Sequence, residues 1–391
     1  MRCILITNMN SPENPRQAIG ILADDLTSAA DGAAPFLRGF GAVRVHRGVP
    51  GDQTHAVLSI DTGSRARPEA QAGRLVAQAT RALAARGILY KTMDSTLRGH
   101  VRTELAAAMR ASGRRLLVVA PAFAEAGRVT RGGIQYVHGV PVDASPYGAD
   151  PVHPARSARL LDLIDPDLGP ACVIPEDASA IQLRAAIATA RVLVLDAATQ
   201  QALDARVAQL WGQGCSCLWA GSPGLARALA AQSAEAPITA AATARRATRV
   251  LVVVGSANPA SQAQCEALRA GGARLATRAD EIADEDTLAC LRAPRSPQAE
   301  PAAVLAALVA QAGRAMARHR FDGLIATGGD TLAALLEALA IDTLTLTCEL
   351  APGFPAGTAV CAGQPLSIAM KAGGFGGPGA LRDAAWRLLC R

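Results

Sequence analysis

The stretch IGILADDLTSAAD at residues 19–31 decides the fold. Its first five residues are continuously apolar, as in a buried strand, and a helix-forming run follows the two aspartates. Such a strand is typical of a parallel sheet covered by helices on both faces. Ligands bind such sheets at the carboxyl ends of the strands, where Asp24 and Asp25 lie. Adjacent side chains on an extended backbone point to opposite sides, so we expect one aspartate to face a ligand and the other to cap the helix.

The same pattern of an apolar run followed by an Ala- and Leu-rich helical stretch recurs along the chain. The runs are AIGILA (18–23), AVLSID (56–61), GILYKT (87–92), RLLVVAPA (115–122), RVLVLDA (191–197), CLWAG (217–221), RVLVVVGS (249–256), GARLATR (272–278), DGLIATGG (322–329) and TAVCAG (358–363). This alternation predicts an α/β fold with two domains, each a mostly parallel sheet flanked by helices, and an active site in the cleft between them.

The chain loses its strand periodicity between residues 233 and 248, where the sequence reads SAEAPITAAATARRAT. We therefore place a domain boundary there. The predicted organisation is a flexible leader at 1–17, a first domain at 18–235, a linker at 236–248 and a second domain at 249–391.

Composition limits the partners. The formal charge is +6, from 39 Lys and Arg against 33 Asp and Glu, but the basic residues are scattered. The longest cluster, Arg245, Arg246 and Arg249, lacks aromatic neighbours, which argues against nucleic-acid binding. The mild positive balance of the whole chain fits a small anionic ligand equally well. Nine unpatterned cysteines favour reduced thiols and a cytoplasmic protein. No apolar run is long enough to predict a membrane partner, and a homodimer is the default assembly.

The second domain contains three glycine-rich turns, each of which taken alone could be an ordinary turn between a strand and a helix. The first ends the strand before Ser256, the second contains TGGDT, and the third is MKAGGFGGPGAL at 370–381. Together they predict a pocket in which backbone N–H groups hold an anion or nucleotide. The predicted nucleotide contacts are Ser256, Gly328, Gly329, Asp330, Thr331, Gly373 and Gly374. Neither a P-loop nor a dinucleotide fingerprint occurs.

The first domain has a different cluster, in which cations, carboxylates and hydroxyls follow three strands. These side chains are Asp24, Asp25 and Thr27; Asp61, Thr62, Ser64, Arg65 and Arg67; and Lys91, Asp94, Ser95, Thr96 and Arg98. Arg and Lys can hold a carboxylate while the others bind hydroxyls, so the cluster predicts a site for a small polyhydroxylated anion. The segment 120–142 is predicted to form an ordered hairpin bordering this site, with a short strand at 136–142 and a structural His138.

Six motifs in series resemble the four-carbon acid sugar kinase family. They are ILADDLTSAAD, KTMDSTLRGH, PAFAEAGRVTRGGIQYVHGVPV, VVVGSANPASQAQ, TGGDT and KAGGFGG. The resemblance implies a sugar-acid-binding domain, a nucleotide-binding domain, and ATP-dependent phosphorylation of the terminal hydroxyl of D-threonate, D-erythronate or 3-oxo-tetronate. It implies substrate contacts at Asp24 or Asp25, at Arg65 or Arg67, and at Lys91, Thr92, Met93, Asp94 and Ser95.

The chain departs from the family pattern at two motifs. Ser28 stands where the first motif usually has glycine, and Met370 and Ala372 replace two hydroxyl residues around Lys371. Lys371 and backbone N–H groups remain available to hold phosphate.

The expected mechanism follows from these assignments. Arg65 or Arg67, with Lys91, would hold the substrate carboxylate, and Asp24 or Asp25 would accept the hydroxyl proton, with Asp330 and Mg²⁺ near the phosphates of ATP. Two alternative functions remain open, a nicotinamide-dependent oxidoreductase and a non-catalytic sugar-acid sensor. The exact acid, and the choice between Asp24 and Asp25 as the base, stay open.

Overall fold

The computed structural model describes residues 18–150, 153–233, 244–255, 259–294, 300–351, 353–371, 373 and 376–389. The predicted leader, residues 236–243 of the predicted linker, Ser256, Ala372 and Gly374 lie outside this part of the chain.

The described residues form strands and helices in the predicted alternation. The strands are β1 (Ile19–Ala23), β2 (Val43–Arg47), β3 (Val57–Asp61), β4 (Ile88–Thr92), β5 (Leu116–Ala120), β6 (Arg128–Arg131), β7 (Ile134–Val137), β8 (Val140–Pro141), β9 (Ala171–Ile174), β10 (Val192–Leu195), β11 (Cys217–Gly221), β12 (Val250–Val254), β13 (Arg274–Ala276), β14 (Leu288–Arg292), β15 (Gly323–Thr327), β16 (Thr343–Ala351), β17 (Phe354–Cys361) and β18 (Gln364–Lys371). The helices are α1 (Leu26–Ala33), α2 (Leu37–Phe40), α3 (Glu69–Leu83), α4 (Val101–Ser112), α5 (Ala180–Thr189), α6 (Gln200–Trp211), α7 (Pro223–Ser233), α8 (Pro259–Ala270), α9 (Pro301–His319), α10 (Gly329–Ala338) and α11 (Ala380–Leu388).

The first half of the chain forms a parallel sheet in the order β2-β3-β1-β4-β11-β5-β10-β9. Its central strands β1, β3, β4 and β5 are buried along their whole length, as their continuous apolar runs predict. Because β1, β3 and β4 are parallel neighbours, their carboxyl ends and the loops that follow them meet at one edge.

The second half forms a mixed sheet. Strands β13-β14-β12-β15-β18 are parallel, and β17 and β16 extend this order as antiparallel strands. This confirms the predicted α/β class with a mostly parallel sheet flanked by helices.

The two half-sheets are continuous, which the sequence pattern did not predict. Strand β16 pairs antiparallel with β2, so that Leu344 lies opposite Val45 and Leu346 opposite Val43. All four side chains are buried in one hydrophobic cluster that includes residues of both halves. Backbone hydrogen bonds and apolar packing therefore join the two halves at this edge.

The segment after β5 forms the predicted hairpin. Strands β6, β7 and β8 make a small antiparallel sheet within the described residues. The predicted single strand at 136–142 is wrong in detail, because His138 has a positive φ of 48° and the chain turns there between β7 and β8.

The seven cysteines within the described ranges are free thiols. No helix among the described residues has the length and hydrophobicity needed to span a membrane.

Candidate functional site

The carboxyl end of β1 holds two aspartates that share one arginine. Asp24 is buried, and both its oxygens accept hydrogen bonds from Arg65, at 2.8 Å from Nε and 3.0 Å from Nη2. Burial alone would raise the pKa of Asp24, but the charges of Arg65 and Lys91 outweigh burial and lower that pKa to about 2. Asp24 is therefore a permanently ionised partner of Arg65 at neutral pH.

Asp25 is the N-cap residue of helix α1, which begins at Leu26. Its Oδ1 accepts a hydrogen bond of 2.6 Å from the backbone N–H of Ser28, so one aspartate does cap the helix as expected. The backbone of Asp25 is still extended, with φ −142° and ψ 166°. Asp25 Oδ2 also forms an ion pair with Nη1 of Arg65, so the helix-capping aspartate contacts the same guanidinium that binds Asp24.

Lys91 on β4 lies in a buried polar network. Its ammonium forms an ion pair of 2.9 Å with Glu104 of α4 and donates to the backbone carbonyl of Thr92 at 2.8 Å. Ser64 donates to the other Glu104 oxygen at 2.5 Å and accepts from Thr62. The lysine predicted to hold a substrate carboxylate is thus already paired with a carboxylate of the protein.

Sequence reasoning did not single out Glu104, although a signal was available. Residues 104, 108 and 112 repeat every four positions on the buried face of α4. An acidic residue on the buried stripe of an amphipathic helix requires a cation nearby.

The loop after β4 completes this side of the site. Asp94 accepts hydrogen bonds from the backbone N–H and hydroxyl of Thr96, at 2.9 and 2.8 Å, and from Arg98 Nε at 2.7 Å. Burial would raise the pKa of Asp94, but Arg98 and Arg65 hold that pKa below its usual range. Met93 and Asp94 of this loop line a small cavity together with Asp24 and with Lys91 and Thr92 of β4.

Asp61 at the end of β3 has a pKa that is raised into the neutral range. Burial is the largest cause, and the charges of Asp25 and Asp24 add to it, so that the pKa of Asp61 rises to about 7. A hydrogen bond of 2.8 Å from the Gly63 N–H lowers this pKa but does not offset the rise. Near neutral pH, Asp61 therefore carries a proton part of the time.

The glycine turn after β15 has the geometry of an anion site. Gly328 has a φ of 97°, which favours glycine, and its N–H donates to the carbonyl of Lys371 at 3.1 Å. Helix α10 begins directly afterwards, so its first N–H groups are free to bind a ligand. At the end of β12, Gly255 has no room for a side chain because the hydroxyl of Thr331 packs against it.

The lysine of the third turn lies at the same edge as Gly328. Lys371 ends β18 next to β15, and its buried ammonium donates to the carbonyl of Gly373 at 3.3 Å. Burial lowers the pKa of Lys371 to about 8. Met370 points into the hydrophobic core, so its side chain is directed away from this turn.

The turn before α10 meets the loop of the two aspartates. A Cβ on Gly329 would lie 3.0 Å from Thr27 Oγ1 and 3.7 Å from Asp25 Oδ2. Helices α1 and α10 pack against each other, consistent with this approach. The Thr27 hydroxyl is buried and has no hydrogen-bond partner among the described residues. The two predicted sites are therefore adjacent.

The remaining predicted positions differ in how accessible they are. Arg67 and Asp330 are exposed, and neither makes an ion pair with a described residue. Thr92 is buried with its hydroxyl unpartnered in the described chain, whereas the Ser95 carbonyl accepts from Gln135 at 2.8 Å. No described group of three or more His, Cys, Asp or Glu side chains forms a metal site.

Comparison with protein families assigns a class to each half. A sugar-binding N-terminal domain matches residues 19–229, and a nucleotide-binding C-terminal domain matches residues 275–381. The chain thus combines a sugar-binding unit with a nucleotide-binding unit.

Relatives of known name match nearly the full length. A D-threonate kinase of Cupriavidus necator is 35% identical over 414 residues, covering 94% of this chain and 97% of the relative. A D-threonate kinase of Bordetella bronchiseptica is 33% identical over 403 residues, covering 94% and 96%. A solved structure from Salmonella typhimurium has a TM-score of 0.80 at 23% identity, covering 94% of this chain and 98% of that one, and so supports the fold.

The chain belongs to the four-carbon acid sugar kinase family. This confirms the resemblance seen in the sequence motifs. It also confirms the predicted kinase class in preference to the oxidoreductase and the sensor.

Proposed function

We propose that this protein transfers the γ-phosphoryl group of ATP to the terminal hydroxyl of a four-carbon sugar acid, with D-threonate as the first candidate and D-erythronate as the second. The observation that carries the proposal is the approach of Gly329 to Thr27 and Asp25. It brings the start of α10, a site suited to phosphate, against the loop suited to the acid.

Asp25 is the base in this proposal. It is the aspartate nearest the start of α10, whereas both oxygens of Asp24 bind Arg65. With a pKa of about 2, Asp24 is also a poor proton acceptor at neutral pH. Asp24 would instead hold Arg65, which in turn contacts Asp25 and keeps its carboxylate oriented.

The substrate carboxylate needs a cation that is not already paired. Arg65 and Lys91 are each paired with carboxylates of the protein. We therefore assign the substrate carboxylate to the exposed Arg67, which follows Arg65 by two residues, and a substrate hydroxyl to Thr92. A substrate that displaced Glu104 from Lys91 would have to leave a buried carboxylate unpaired, which is costly.

ATP would bind with its phosphates at Gly328, Gly329, Asp330, Thr331, Gly373 and Lys371, with Ser256 and Gly374 as further predicted contacts. Mg²⁺ is commonly held by one or two carboxylates together with phosphate oxygens, and the exposed carboxylate of Asp330 at the start of α10 suits such a site. When bound, Mg²⁺ would neutralise charge on the transferred phosphate. The Thr27 hydroxyl, buried beside Gly329, can donate a hydrogen bond to the same group.

The test is a coupled assay of ADP release with D-threonate, D-erythronate and 3-oxo-tetronate as acceptors. Acid-dependent ADP release supports the kinase. Ligand-induced thermal stabilisation without ADP release would indicate a sensor, and acid-dependent reduction of a nicotinamide cofactor an oxidoreductase.

The base assignment is tested with a matched pair of variants. Asp25→Asn retains the oxygen that caps α1 and should lower kcat by about 10²–10⁴-fold while ATP binding persists. Asp24→Asn should act mainly through KM, because it disturbs Arg65 rather than the proton acceptor. A near-normal kcat for Asp25→Asn would remove Asp25 from the role of base.

We also propose a cytoplasmic location, which the free thiols of the described residues favour, and a homodimer, which is the commonest symmetric assembly. Light scattering after size-exclusion chromatography gives the assembly state, and a monomer across the micromolar range would contradict the dimer.

A further inference from the structure

A second pocket lies on the first domain, away from the predicted catalytic residues. Its volume is about 450 Å³, within the range typical of pockets for small molecules. Four arginines line it, Arg110, Arg114, Arg115 and Arg191, together with a single carboxylate, Asp167.

The pocket lies at the amino ends of the strands, whereas Asp24 lies at their carboxyl ends. Arg114 and Arg115 directly precede β5, and Arg191 directly precedes β10, its parallel neighbour. Asp24 follows β1 of the same parallel sheet. The amino and carboxyl ends of a five-residue strand are separated by roughly 16 Å, so the pocket and the aspartate site are distinct.

The positive charge of the pocket is only partly neutralised. Arg110 pairs with Asp165 at 2.6 Å. Arg114 and Arg115 donate to backbone carbonyls, which fixes their guanidinium groups without cancelling their charge. The exposed guanidinium of Arg191 makes no hydrogen bond or ion pair with a described residue.

Arg115 and the stem of Arg191 are positioned by contacts with the protein, and the guanidinium of Arg191 is exposed. The Arg115 guanidinium donates to the carbonyls of Ile187 and Ala188, at 2.7 and 3.3 Å. The stem of Arg191 packs on Gly169, where an added Cβ would lie 2.9 Å from its Cγ. Guanidinium groups positioned around a concave surface are suited to bidentate binding of phosphate or carboxylate oxygens.

We propose that this pocket binds a small polyanion, such as a phosphorylated metabolite or nucleotide, independently of the catalytic site. The concave shape and pocket volume favour a small molecule over a nucleic acid, which would need an extended basic surface with aromatic side chains. Helix α4 contributes to both the catalytic site and this pocket. Glu104, near the start of the helix, pairs with Lys91, and Arg110, near the end of the helix, lines the pocket. The bound anion would therefore contact the helix that holds the Lys91 ion pair.

The test is isothermal titration calorimetry with inorganic pyrophosphate at low ionic strength, on the full-length protein. The double variant Arg115→Ala/Arg191→Ala should lose the site, with a Kd weakened about a hundredfold, or about tenfold for each guanidinium removed. The matched control Arg74→Ala/Arg314→Ala removes the same charge from two exposed helix positions and should bind as the wild type does.

The outcomes separate this site from the catalytic one. Pyrophosphate binding that is equal in all three proteins, or absent from the wild type, would overturn the proposal. Binding of a single-stranded RNA oligonucleotide, but not of pyrophosphate, through Arg115 and Arg191 would overturn it in favour of a nucleic-acid surface. ADP release by the double variant verifies that it is folded, and its failure in every variant alike would refute the kinase assignment without bearing on the pocket.

Discussion

Replacing Asp61 with asparagine is expected to stabilise the protein at alkaline pH and to have little effect at acid pH. Asp61 is buried at the end of β3, near the carboxylates of Asp24 and Asp25. Burial and these two charges raise its pKa from 3.8 to about 7 in the folded state. Asparagine retains an oxygen that can accept the 2.8 Å hydrogen bond from Gly63 but carries no charge.

Because the pKa of Asp61 is higher in the folded chain than in the unfolded chain, ionisation of Asp61 destabilises the folded protein as pH rises. Below pH about 4, Asp61 is protonated in both the folded and the unfolded chain, so it imposes no electrostatic penalty. Between pH about 4 and about 7 the unfolded chain loses this proton more readily, and the folded wild type becomes progressively less stable. Above pH about 7 the folded protein carries the full cost of the buried Asp61 charge. A pKa shift from 3.8 to about 7, at about 1.4 kcal/mol for each pKa unit, sets the upper limit of this cost at about 4 kcal/mol.

The measurement is urea unfolding of wild type and Asp61→Asn at pH 5, 6, 7 and 8, followed by circular dichroism. The variant's advantage in unfolding free energy should grow across this series and level off at its upper end. Asp177→Asn, at an exposed position of the same domain, controls for the loss of one negative charge. An advantage for Asp61→Asn that is constant with pH, or that shrinks as pH rises, would refute the reasoning.

Three further predictions concern packing and buried polar groups. Gly329→Ala should destabilise the wild-type protein, because the new Cβ would lie 3.0 Å from Thr27 Oγ1, and it should not destabilise a Thr27→Ala protein. A double-mutant cycle on unfolding free energies should give a coupling energy of about 1 kcal/mol between the two positions. Strictly additive effects would contradict the contact. Glu104→Gln should lower the unfolding free energy by about 3–5 kcal/mol, because it leaves the buried Lys91 ammonium without its carboxylate partner. The further substitution Lys91→Met should recover much of this loss. A Glu104→Gln variant as stable as the wild type would show that the ion pair is not buried in solution. Tyr90→Phe should cost about 1–3 kcal/mol, because the phenol donates to two buried backbone carbonyls at 2.8 and 2.9 Å, and an unchanged chemical denaturation midpoint would contradict those hydrogen bonds.

The predicted catalytic chemistry depends on how Arg65 is used. Its guanidinium spans both aspartates and also donates to Ser28 Oγ at 3.3 Å. Ser28 stands where the family motif usually has glycine, so this chain provides an additional acceptor for the same arginine. An arginine with three acceptors is suited to fix the direction of the Asp25 carboxylate, since its planar donors hold their partners at defined angles.

Some of the site could be read directly from the amino-acid order. Polar residues placed immediately after continuously apolar strands identified the loops that carry Asp24, Asp61 and Asp94, because parallel neighbours bring their carboxyl ends to one edge. The glycine turn at Gly328 was identified in the same way, since its positive φ favours glycine. These signals are local, and each depends on a few adjacent residues.

Side-chain pairing could not be read in this way. Glu104 pairs with Lys91 across 13 residues of sequence, and Arg65 reaches aspartates about 40 residues earlier in the chain. The expectation that Arg65 and Lys91 await a substrate carboxylate left out the partners that the fold provides. Buried charges require such partners, but periodicity shows only that a residue is buried and not which residue satisfies it.

The sequence by itself determined the α/β class, the alternation of elements, the strand ends that carry polar groups and, through six motifs in order, the kinase family. Only the tertiary structure decided that β2 and β16 join the two sheets, that Asp24 and Asp25 share Arg65, and that Gly329 lies against Thr27. The physical reason is one of range. Strands and turns follow from hydrophobicity and backbone preference over a few residues, whereas sheet edges, ion pairs and contacts between loops depend on which distant surfaces the packed core brings together.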